Sequence, residues 1–307
     1  MKPALLSPGS RIGFVGLGVM GGGMARCLLR HGARPRVFAR RPQQAQALVE
    51  AGATAAASLA DLRDCELVFL SLPDGAAVEA VLFGPDGLAS VLQPGSVVVD
   101  TSTIAAGAAR QASVRLQQRG VWLLDAPVSG GQQGAESGTL GCMVGGDAQV
   151  LEACRPVLAA FCKTITHAGA SGAGQTVKAC NQVAVAGALL GVADALALAR
   201  REGVDPTLVR DVLLGGTARS FSLEKHAPRI IDGAFEPGFR ARLMRKDLRL
   251  ALETAHASGA VLPTASLAER LLDELCESGR ADWDWIALAQ LVQERGGEPP
   301  RAASEPA

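Results

Sequence analysis

Residues 11–23, RIGFVGLGVMGGG, decide the fold of the N-terminal half, because an apolar run passes directly into a glycine-rich turn. The run RIGFVGLG (11–18) predicts a buried strand that ends in a glycine turn, and Met20 to His31, closed by Gly32, predict a helix. The turn between them has the spacing G-x-G-x-x-G. In this strand–turn–helix context, the spacing is typical of a βαβ unit that binds a dinucleotide.

The glycines of this turn have separate tasks. The first permits the tight turn, the second lets the backbone approach a pyrophosphate, and the third lets the helix pack on the strand. The N–H groups at the start of the helix then bind the phosphates. The predicted coenzyme-binding positions here are Gly16, Leu17, Gly18, Val19, Met20 and Gly21. A flavin is the main alternative ligand, although a flavoprotein of this type usually needs a longer chain.

The residues after the second predicted strand indicate which dinucleotide binds. An NAD site usually has Asp or Glu about 20 residues after the turn, where the carboxylate accepts from the ribose 2′-OH. This chain has no acidic residue before Glu50 and has Arg40-Arg41 at the expected place. Because guanidinium groups bind phosphate oxygens in pairs, we predict a preference for NADP(H), with NAD(H) possible. A solvated basic loop is the alternative interpretation of the two arginines.

The rest of the N-terminal half repeats the same alternation of strand and helix. Further apolar runs that predict strands lie at residues 34–39, 65–73, 96–100, 121–127, 141–147 and 163–169. Apolar strands separated by helices indicate a parallel sheet covered on both faces. After about residue 170 only helical periodicity remains, beginning with one long pattern over 175–201. The predicted fold class is α/β, a Rossmann-type doubly wound parallel sheet followed by an all-α C-terminal domain.

These patterns divide the chain into four segments. We predict an N-terminal extension at 1–10, which we expect to be frayed, and an NADP-binding Rossmann domain at 11–170. An all-helical domain for substrate binding and dimerisation follows at 171–295, and a disordered tail rich in Pro, Ala and Glu occupies 296–307. The apolar character of residues 183–199 predicts that the helical domain packs against another copy, in a homodimer or homotetramer.

Composition excludes several classes of function. Thirty basic and thirty acidic residues cancel, which argues against a nucleic-acid partner bound through bulk positive charge. The chain has no Tyr, so no phenol can act as the proton donor. Its seven Cys and four His show no metal-ligand spacing, and we expect no metal site. No apolar run resembles an export signal or a convincing membrane span, so we expect a cytoplasmic protein without a membrane partner.

Four motifs in the same order resemble the β-hydroxyacid dehydrogenase family, which includes 3-hydroxyisobutyrate dehydrogenase. They are GLGVMGGGMA (16–25), DAPVSGG (125–131), GAGQTVKACNQ (172–182) and FRARLMRKDL (239–248). The resemblance covers about residues 11 to 292. The segments KACNQ and KHAPRIIDGAFEPGF (225–239) look most similar to the branch that contains 2-hydroxy-3-oxopropionate (tartronate semialdehyde) reductase.

The resemblance implies roles for individual residues. Lys178 matches the catalytic lysine, which exchanges a proton with the substrate oxygen as general acid and base. Asn181 matches a residue that holds a substrate oxygen, and Ser129, Gly130 and Gly131 match a loop that binds a carboxylate. Further matches are Lys246, near nicotinamide and substrate; Asp247, which supports Lys246 or orients Lys178; and the coenzyme-lining residues Leu72, Pro73 and Thr103.

We therefore expect an NADP(H)-dependent oxidoreductase that interconverts a small 3-hydroxy acid and its semialdehyde. The first alternative is an imine reductase of the same architecture, against which Lys178 and the carboxylate loop argue. The second is a non-catalytic NADPH-binding interaction module, against which the joint presence of Lys178, Asn181 and Ser129 argues. The expected partner is a small carboxylic-acid substrate.

Overall fold

A computed structural model describes residues 3–297, and the chain divides into two compact units. The first unit runs to Lys178 and the second begins at Ala179. The division falls inside one continuous helix, so the last residue of the first unit and the first of the second share that helix. The predicted tail, 296–307, lies outside the described residues except for Gly296 and Gly297.

The first unit is built on a nine-stranded sheet. Its strands are β1 Ile12–Val15, β2 Arg36–Phe38, β3 Thr54–Ala55, β4 Leu67–Leu70, β5 Val97–Asp100, β6 Trp122–Asp125, β7 Val128–Ser129, β8 Leu140–Gly145 and β9 Cys162–Gly169. Strands β1, β4 and β5 are buried along their whole length, as expected for a parallel sheet covered on both faces. The first six strands lie in the order β3-β2-β1-β4-β5-β6, all parallel.

Helices cover this sheet. They are α1 Val19–Arg30, α2 Gln46–Glu50, α3 Gly75–Phe83, α4 Leu88–Val91, α5 Ala106–Gln117, α6 Gly131–Ser137 and α7 Ala148–Leu158, with 3₁₀ turns at Pro42–Ala45 and Leu59–Leu62. The sheet order and the helices confirm the predicted Rossmann-type class. Aromatic rings of β1, β4 and the segment before β9 meet in its core, where Phe69 stacks on Phe14 at 5.7 Å and meets Phe161 edge-on at 5.3 Å.

The closing strands differ from the expected parallel arrangement. Strand β8 runs antiparallel to β6 and β7, and only β9 returns parallel to β8. The ten residues between β7 and β8 contain only α6, which is shorter than the dozen or more residues that a parallel crossover needs. The chain therefore turns back on itself at this side of the sheet.

The N-terminal extension also departs from its prediction. Leu6 is buried against the core of the first unit, and its N–H donates to the Ala153 carbonyl at 2.9 Å. The expectation of a frayed segment is therefore wrong for the residues around Leu6. The sequence does not reveal this contact, because the partner on α7 lies almost 150 residues away.

The second unit is helical. It contains the C-terminal part of α8 (Ala173–Arg201), then α9 Pro206–Leu214, α10 Ala227–Asp232, α11 Ala241–Ser258, α12 Pro263–Leu275 and α13 Leu288–Arg295. Two π-helical turns, Ser222–His226 and Cys276–Arg280, and a 3₁₀ turn, Trp285–Ala287, interrupt the regular helices. Helix α8 is long and apolar enough, by length and composition alone, to cross a bilayer, with a mean hydropathy of 1.8 and 44% of that window buried.

Candidate active site

The turn between β1 and α1 excludes side chains at two of its glycines. Gly16 has φ of +92°, and a Cβ there would lie 2.3 Å from the Ser71 carbonyl oxygen. A Cβ on Gly21 would lie 1.9 Å from the Gly16 carbonyl oxygen, so the helix packs directly on the turn. At Gly18, by contrast, a Cβ would meet nothing within 4 Å. Gly18, which is predicted to face the pyrophosphate, therefore has open space beside it, while Gly16 and Gly21 face protein atoms at close range.

The start of α1 suits an anion. Gly18 is its N-cap residue and provides no side-chain hydrogen bond, and the first turn holds no acidic residue. The first N–H groups of a helix have no partner within the helix, and the helix dipole favours negative charge beside them. Val19 is 58% exposed there, whereas Leu17 is buried. This cradle fits the pyrophosphate of a nicotinamide dinucleotide, whose other predicted contacts follow the neighbouring strands.

Arg40 and Arg41 lie just after β2, which ends at Phe38 beside β1. Both side chains are exposed, and Arg41 is the N-cap of the 3₁₀ turn at Pro42–Ala45. Because β1 and β2 are parallel, their carboxyl ends lie at the same edge of the sheet. The two guanidinium groups therefore lie in the loop after the strand that neighbours the glycine turn, and both are exposed to solvent.

Leu72, Pro73 and Thr103 lie on the loops that follow β4 and β5, at the same edge. The Leu72 N–H donates to Ser102 Oγ at 2.9 Å, and the Ser102 N–H donates to Asp100 at 2.9 Å. These bonds tie the two loops to each other. The structure therefore groups these predicted coenzyme-lining positions with the glycine turn, as the order of parallel strands requires.

The predicted carboxylate loop begins where β7 ends, at Ser129. Gly130 and Gly131 both have positive φ, +130° and +61°, which β-carbon-bearing residues rarely adopt. Gly131 and the following Gln132 are exposed. Successive N–H groups in such a turn form a concave site for an anionic oxygen.

Asp125, at the end of β6, holds the start of α8. The carboxylate is 2% exposed and accepts from the Gly172 N–H at 2.7 Å and the Gln175 N–H at 3.0 Å. Burial raises the pKa of Asp125, and these backbone donors oppose that rise. A Cβ on Gly174 would lie 2.4 Å from the Met143 carbonyl oxygen, so the helix approaches the sheet as closely as glycine allows. The sequence motif at 125–131 includes this aspartate, but the motif alone predicted no role for it.

Gln175 connects α8 to the loop after β5. Its Oε1 accepts from the Ile104 N–H at 3.1 Å, and its Nε2 donates to the Ser102 carbonyl at 2.8 Å. Gln175 is 2% exposed, so the residue serves the interior of the unit. This link also went unpredicted, because its partners lie more than 70 residues away in sequence.

Lys178 lies on α8 one turn beyond Gln175 and is 7% exposed. A lysine on a helix surface is ordinarily exposed, and burial of this residue is the exceptional feature of the segment. Cys180, two residues further along, is exposed, which shows the face of α8 opposite to the lysine. The structure therefore orients Lys178 inward at the start of a helix fixed to the carboxyl edge of the sheet.

In the second unit, Asn181, Gln182, Asp247 and Lys246 form a connected chain of side chains. Asn181 Nδ2 donates to Gln182 Oε1 at 2.8 Å, and Gln182 Nε2 donates to Asp247 Oδ2 at 2.7 Å. Asp247 Oδ1 pairs with Lys246 Nζ at 3.1 Å. Gln182 and Asp247 are buried, whereas Asn181 and Lys246 remain partly exposed. The predicted support role of Asp247 thus has a specific partner in Lys246.

Five of the seven cysteines are buried. Cys27, Cys65, Cys142, Cys154 and Cys162 are buried, and burial raises the pKa of Cys65 to about 11 and that of Cys154 to about 12. Thiols with such values remain protonated at neutral pH and react slowly. Among residues 3–297, no group of three or more His, Cys, Asp or Glu side chains is placed to hold a metal ion.

A Rossmann sheet with an open glycine turn, followed by a helix that carries a buried lysine in its second turn, is typical of a nicotinamide-dependent oxidoreductase. Two family models match the chain and agree with this class. The NAD-binding domain of 6-phosphogluconate dehydrogenase matches residues 11–169, and the NAD-binding domain of NADP-dependent 3-hydroxyisobutyrate dehydrogenase matches residues 172–292.

Individual relatives extend over nearly the whole chain. The 2-hydroxy-3-oxopropionate reductase of Escherichia coli is 38% identical over 92% of this chain and 97% of its own length. The NAD-dependent L-serine dehydrogenase of Pseudomonas aeruginosa is 38% identical over 94% and 99%. A 3-hydroxyisobutyrate dehydrogenase of Mycobacterium tuberculosis, solved with L-serine, superposes with a TM-score of 0.87 at 32% identity, covering 93% of this chain and 99% of its own.

The chain belongs to the β-hydroxyacid dehydrogenase family of 3-hydroxyisobutyrate dehydrogenase-like proteins. It is an NAD(P)-dependent β-hydroxyacid dehydrogenase of class EC 1.1.1.-. The expectation of an enzyme is thereby confirmed, and a non-catalytic binding module is set aside. The coenzyme is a nicotinamide dinucleotide, and the substrates of the family are small hydroxy acids.

Proposed function

We propose that this enzyme is an NADP(H)-dependent reductase of a small semialdehyde that bears a carboxylate, and that it also oxidises the matching 3-hydroxy acid. The proposed type is that of 2-hydroxy-3-oxopropionate reductase and 3-hydroxyisobutyrate dehydrogenase. One observation carries the proposal. Lys178 is buried on a helix whose start is held at the carboxyl edge of the coenzyme-binding sheet by Asp125.

In this proposal the bound nicotinamide supplies or accepts the hydride. Lys178 Nζ donates a proton to the carbonyl oxygen during reduction and removes it from the hydroxyl during oxidation. Ser129 and the N–H groups of Gly130 and Gly131 hold the substrate carboxylate, and Asn181 binds a polar group one helical turn from the lysine. Within the second unit, Asp247 holds Lys246 in an ion pair of 3.1 Å.

Replacement of the lysine tests the proton-transfer step. Lys178→Ala is expected to lower kcat about 100- to 10,000-fold, the range usual for loss of a general acid or base. Binding of NADPH, followed by fluorescence, should stay within about twofold. Lys225→Ala is the matched control, because Lys225 is an exposed lysine whose recorded partner is its neighbour Glu224. Unchanged turnover in Lys178→Ala would remove the proposed mechanism.

Coenzyme preference tests the role of Arg40 and Arg41. We expect kcat/KM for NADPH to exceed that for NADH at least about tenfold, because both guanidinium groups can pair with a 2′-phosphate. The double variant Arg40→Ala, Arg41→Ala should lose that preference and keep its NADH activity. A tenfold preference of the parent enzyme for NADH would contradict the assignment.

We further propose a homodimer or homotetramer formed through the helical unit. Helix α9 has no buried residue within the described chain, although Leu208 and Val212 lie one turn apart on it and are 57% and 65% exposed. An apolar helix face of this kind is usually covered by another subunit. Sedimentation equilibrium tests the state, and Leu208→Glu should shift it toward monomer if α9 contributes to the interface.

A further inference from the structure

In the second unit, the hydrogen-bonded side chains of Asn181, Gln182, Asp247 and Lys246 fix the orientation of the two amide groups among them. The starting point is Asp247, which is 3% exposed and pairs through Oδ1 with Lys246. A carboxylate can only accept hydrogen bonds. Gln182 must therefore turn its Nε2 toward Asp247 Oδ2, at the observed 2.7 Å. The reverse orientation would place two acceptors in contact within a buried pocket.

The orientation of the Gln182 amide in turn fixes the orientation of the Asn181 amide. With Nε2 directed at the carboxylate, Gln182 presents Oε1, an acceptor, to its neighbour. Asn181 must then turn its Nδ2 toward Gln182, as the 2.8 Å distance shows. The end of the Asn181 amide that faces away from Gln182 is therefore its carbonyl oxygen, Oδ1. The charge of Asp247 sets this polarity, so the assignment does not depend on telling oxygen from nitrogen by position.

Asn181 stands one turn beyond Lys178 on α8, at a rise of about 4.5 Å along the helix. Asn181 is partly exposed and its neighbour Gln182 is buried, so Asn181 is the amide of the pair that can meet a ligand. If Lys178 Nζ meets the oxygen on C3 of the substrate, a group one turn away reaches the substituent on the adjacent carbon, C2. That substituent then faces a hydrogen-bond acceptor of fixed orientation.

We infer that Gln182 is a positioning residue that makes the enzyme select substrates with a hydrogen-bond donor on C2. This inference rests on the proposed function, since it refines the substrate of the same site. A C2 hydroxyl or a C2 ammonium donates to Asn181 Oδ1, whereas a C2 methyl leaves that oxygen desolvated without a partner. A site that hydrogen-bonds a substrate group discriminates against the analogue that lacks it, because its own polar atom is then left unpaired.

Four 3-hydroxy acids that differ only at C2 test the inference in the oxidation direction. They are glycerate, with a hydroxyl; serine, with an ammonium; 3-hydroxyisobutyrate, with a methyl; and 3-hydroxypropionate, with hydrogen. Both enantiomers of each chiral acid are assayed with NADP⁺ and with NAD⁺. We expect kcat/KM for the better of glycerate and serine to exceed that for 3-hydroxyisobutyrate at least about tenfold. The glycerate and serine arms distinguish which donor the enzyme takes.

The variant Gln182→Met separates positioning from general damage. Methionine has nearly the size of glutamine and no amide, so Asn181 becomes free to turn over. The ratio of kcat/KM between the donor-bearing acid and 3-hydroxyisobutyrate should fall to about threefold or less. A ratio of this kind is insensitive to a partly unfolded fraction, which lowers both values equally. Should Gln182→Met fail to fold, Asn181→Ala removes the acceptor itself and carries the same expectation.

The outcomes are distinct. Equal or better use of 3-hydroxyisobutyrate by the parent enzyme, or an unchanged ratio in the variant, overturns the inference and leaves the proposed function standing. No oxidation of any of the four acids by the parent enzyme, with either coenzyme, overturns the proposed function and the inference together.

Discussion

Helices α1 and α8 both begin at the carboxyl edge of the Rossmann sheet, yet their N-termini are treated in opposite ways. The start of α1 has a glycine N-cap, no side-chain hydrogen bond and no acidic residue in its first turn. The start of α8 receives a buried carboxylate, Asp125, which accepts from two backbone N–H groups. One helix starts without a side-chain partner for its first N–H groups, and the other receives a carboxylate from within the protein.

The two kinds of helix start suit different tasks: an open one can bind an anion, and a closed one can position the side chains of its helix. An open N-terminus provides favourable electrostatics for a diffusible phosphate but no fixed partner that would define the direction of the helix. A closed N-terminus gives up ligand binding and fixes the helix, and with it Lys178, against β6. Three other helices, α3, α7 and α9, have aspartate caps at their own N-termini, through Asp74, Asp147 and Asp205.

The largest expected effect comes from opening the N-terminus of α8. Asp125→Asn keeps the shape of the side chain but removes its charge and turns an NH₂ toward one of the two backbone donors. Leaving a buried N–H unpaired costs about 1–3 kcal/mol, so we expect the free energy of unfolding to fall by about 3 kcal/mol. Urea denaturation measures it, and kcat should fall with it because Lys178 loses its support. A loss of unfolding free energy below about 0.5 kcal/mol would show that the Asp125 carboxylate is not needed to hold the start of α8.

The next effect comes from closing the N-terminus of α1. Gly18→Asp is sterically permitted, because a Cβ there meets nothing within 4 Å and φ is −68°. The new carboxylate would occupy the helix N–H groups and repel the pyrophosphate. We expect the Kd for NADPH to rise about 30-fold, equivalent to about 2 kcal/mol, with no loss of folding stability. Unaltered coenzyme affinity, measured by calorimetry, would mean that the phosphates bind elsewhere.

The smallest effect is expected where an aspartate caps a helix at a partly exposed position. Asp147 accepts from the N–H groups of Gln149 and Val150 at 2.8 and 3.1 Å at the start of α7. Because Asn caps helices about as well as Asp, Asp147→Asn should change the free energy of unfolding by no more than about 0.5 kcal/mol. The same chemical change is thus made at a buried and at a peripheral helix start. Equal losses of unfolding free energy in Asp125→Asn and Asp147→Asn would contradict the difference between the two helix starts.

Local patterns predicted most of the first unit. The glycine spacing at 16–21 and the apolar runs located the strands that form the sheet, since each signal depends on neighbours a few residues away. The antiparallel course of β8 was not predicted, because an apolar run carries no information about its direction. The π-helical turn at Ser222–His226 was not predicted either, since one extra residue per turn scarcely alters an apolar periodicity.

Asp125 and Gln182, which hold other residues in place, could not be predicted from local sequence patterns. Asp125 meets Gln175 across 50 positions of sequence, and Gln182 meets Asp247 across 65. No spacing rule connects residues so far apart, and the family resemblance assigned roles chiefly to residues expected to touch substrate or coenzyme. Lys178, Ser129 and the arginines remain predictions as contacts with those molecules, and the variants above address them.

The exposed thiol on α8 gives the enzyme a natural attachment point. Cys180 stands two residues past Lys178 but on the outer side of the helix, while Cys65 and Cys154 keep their protons well above neutral pH. A maleimide dye at pH 7 should therefore attach at that position without engineered cysteines. Its emission would then register movements of the lysine-bearing segment during turnover.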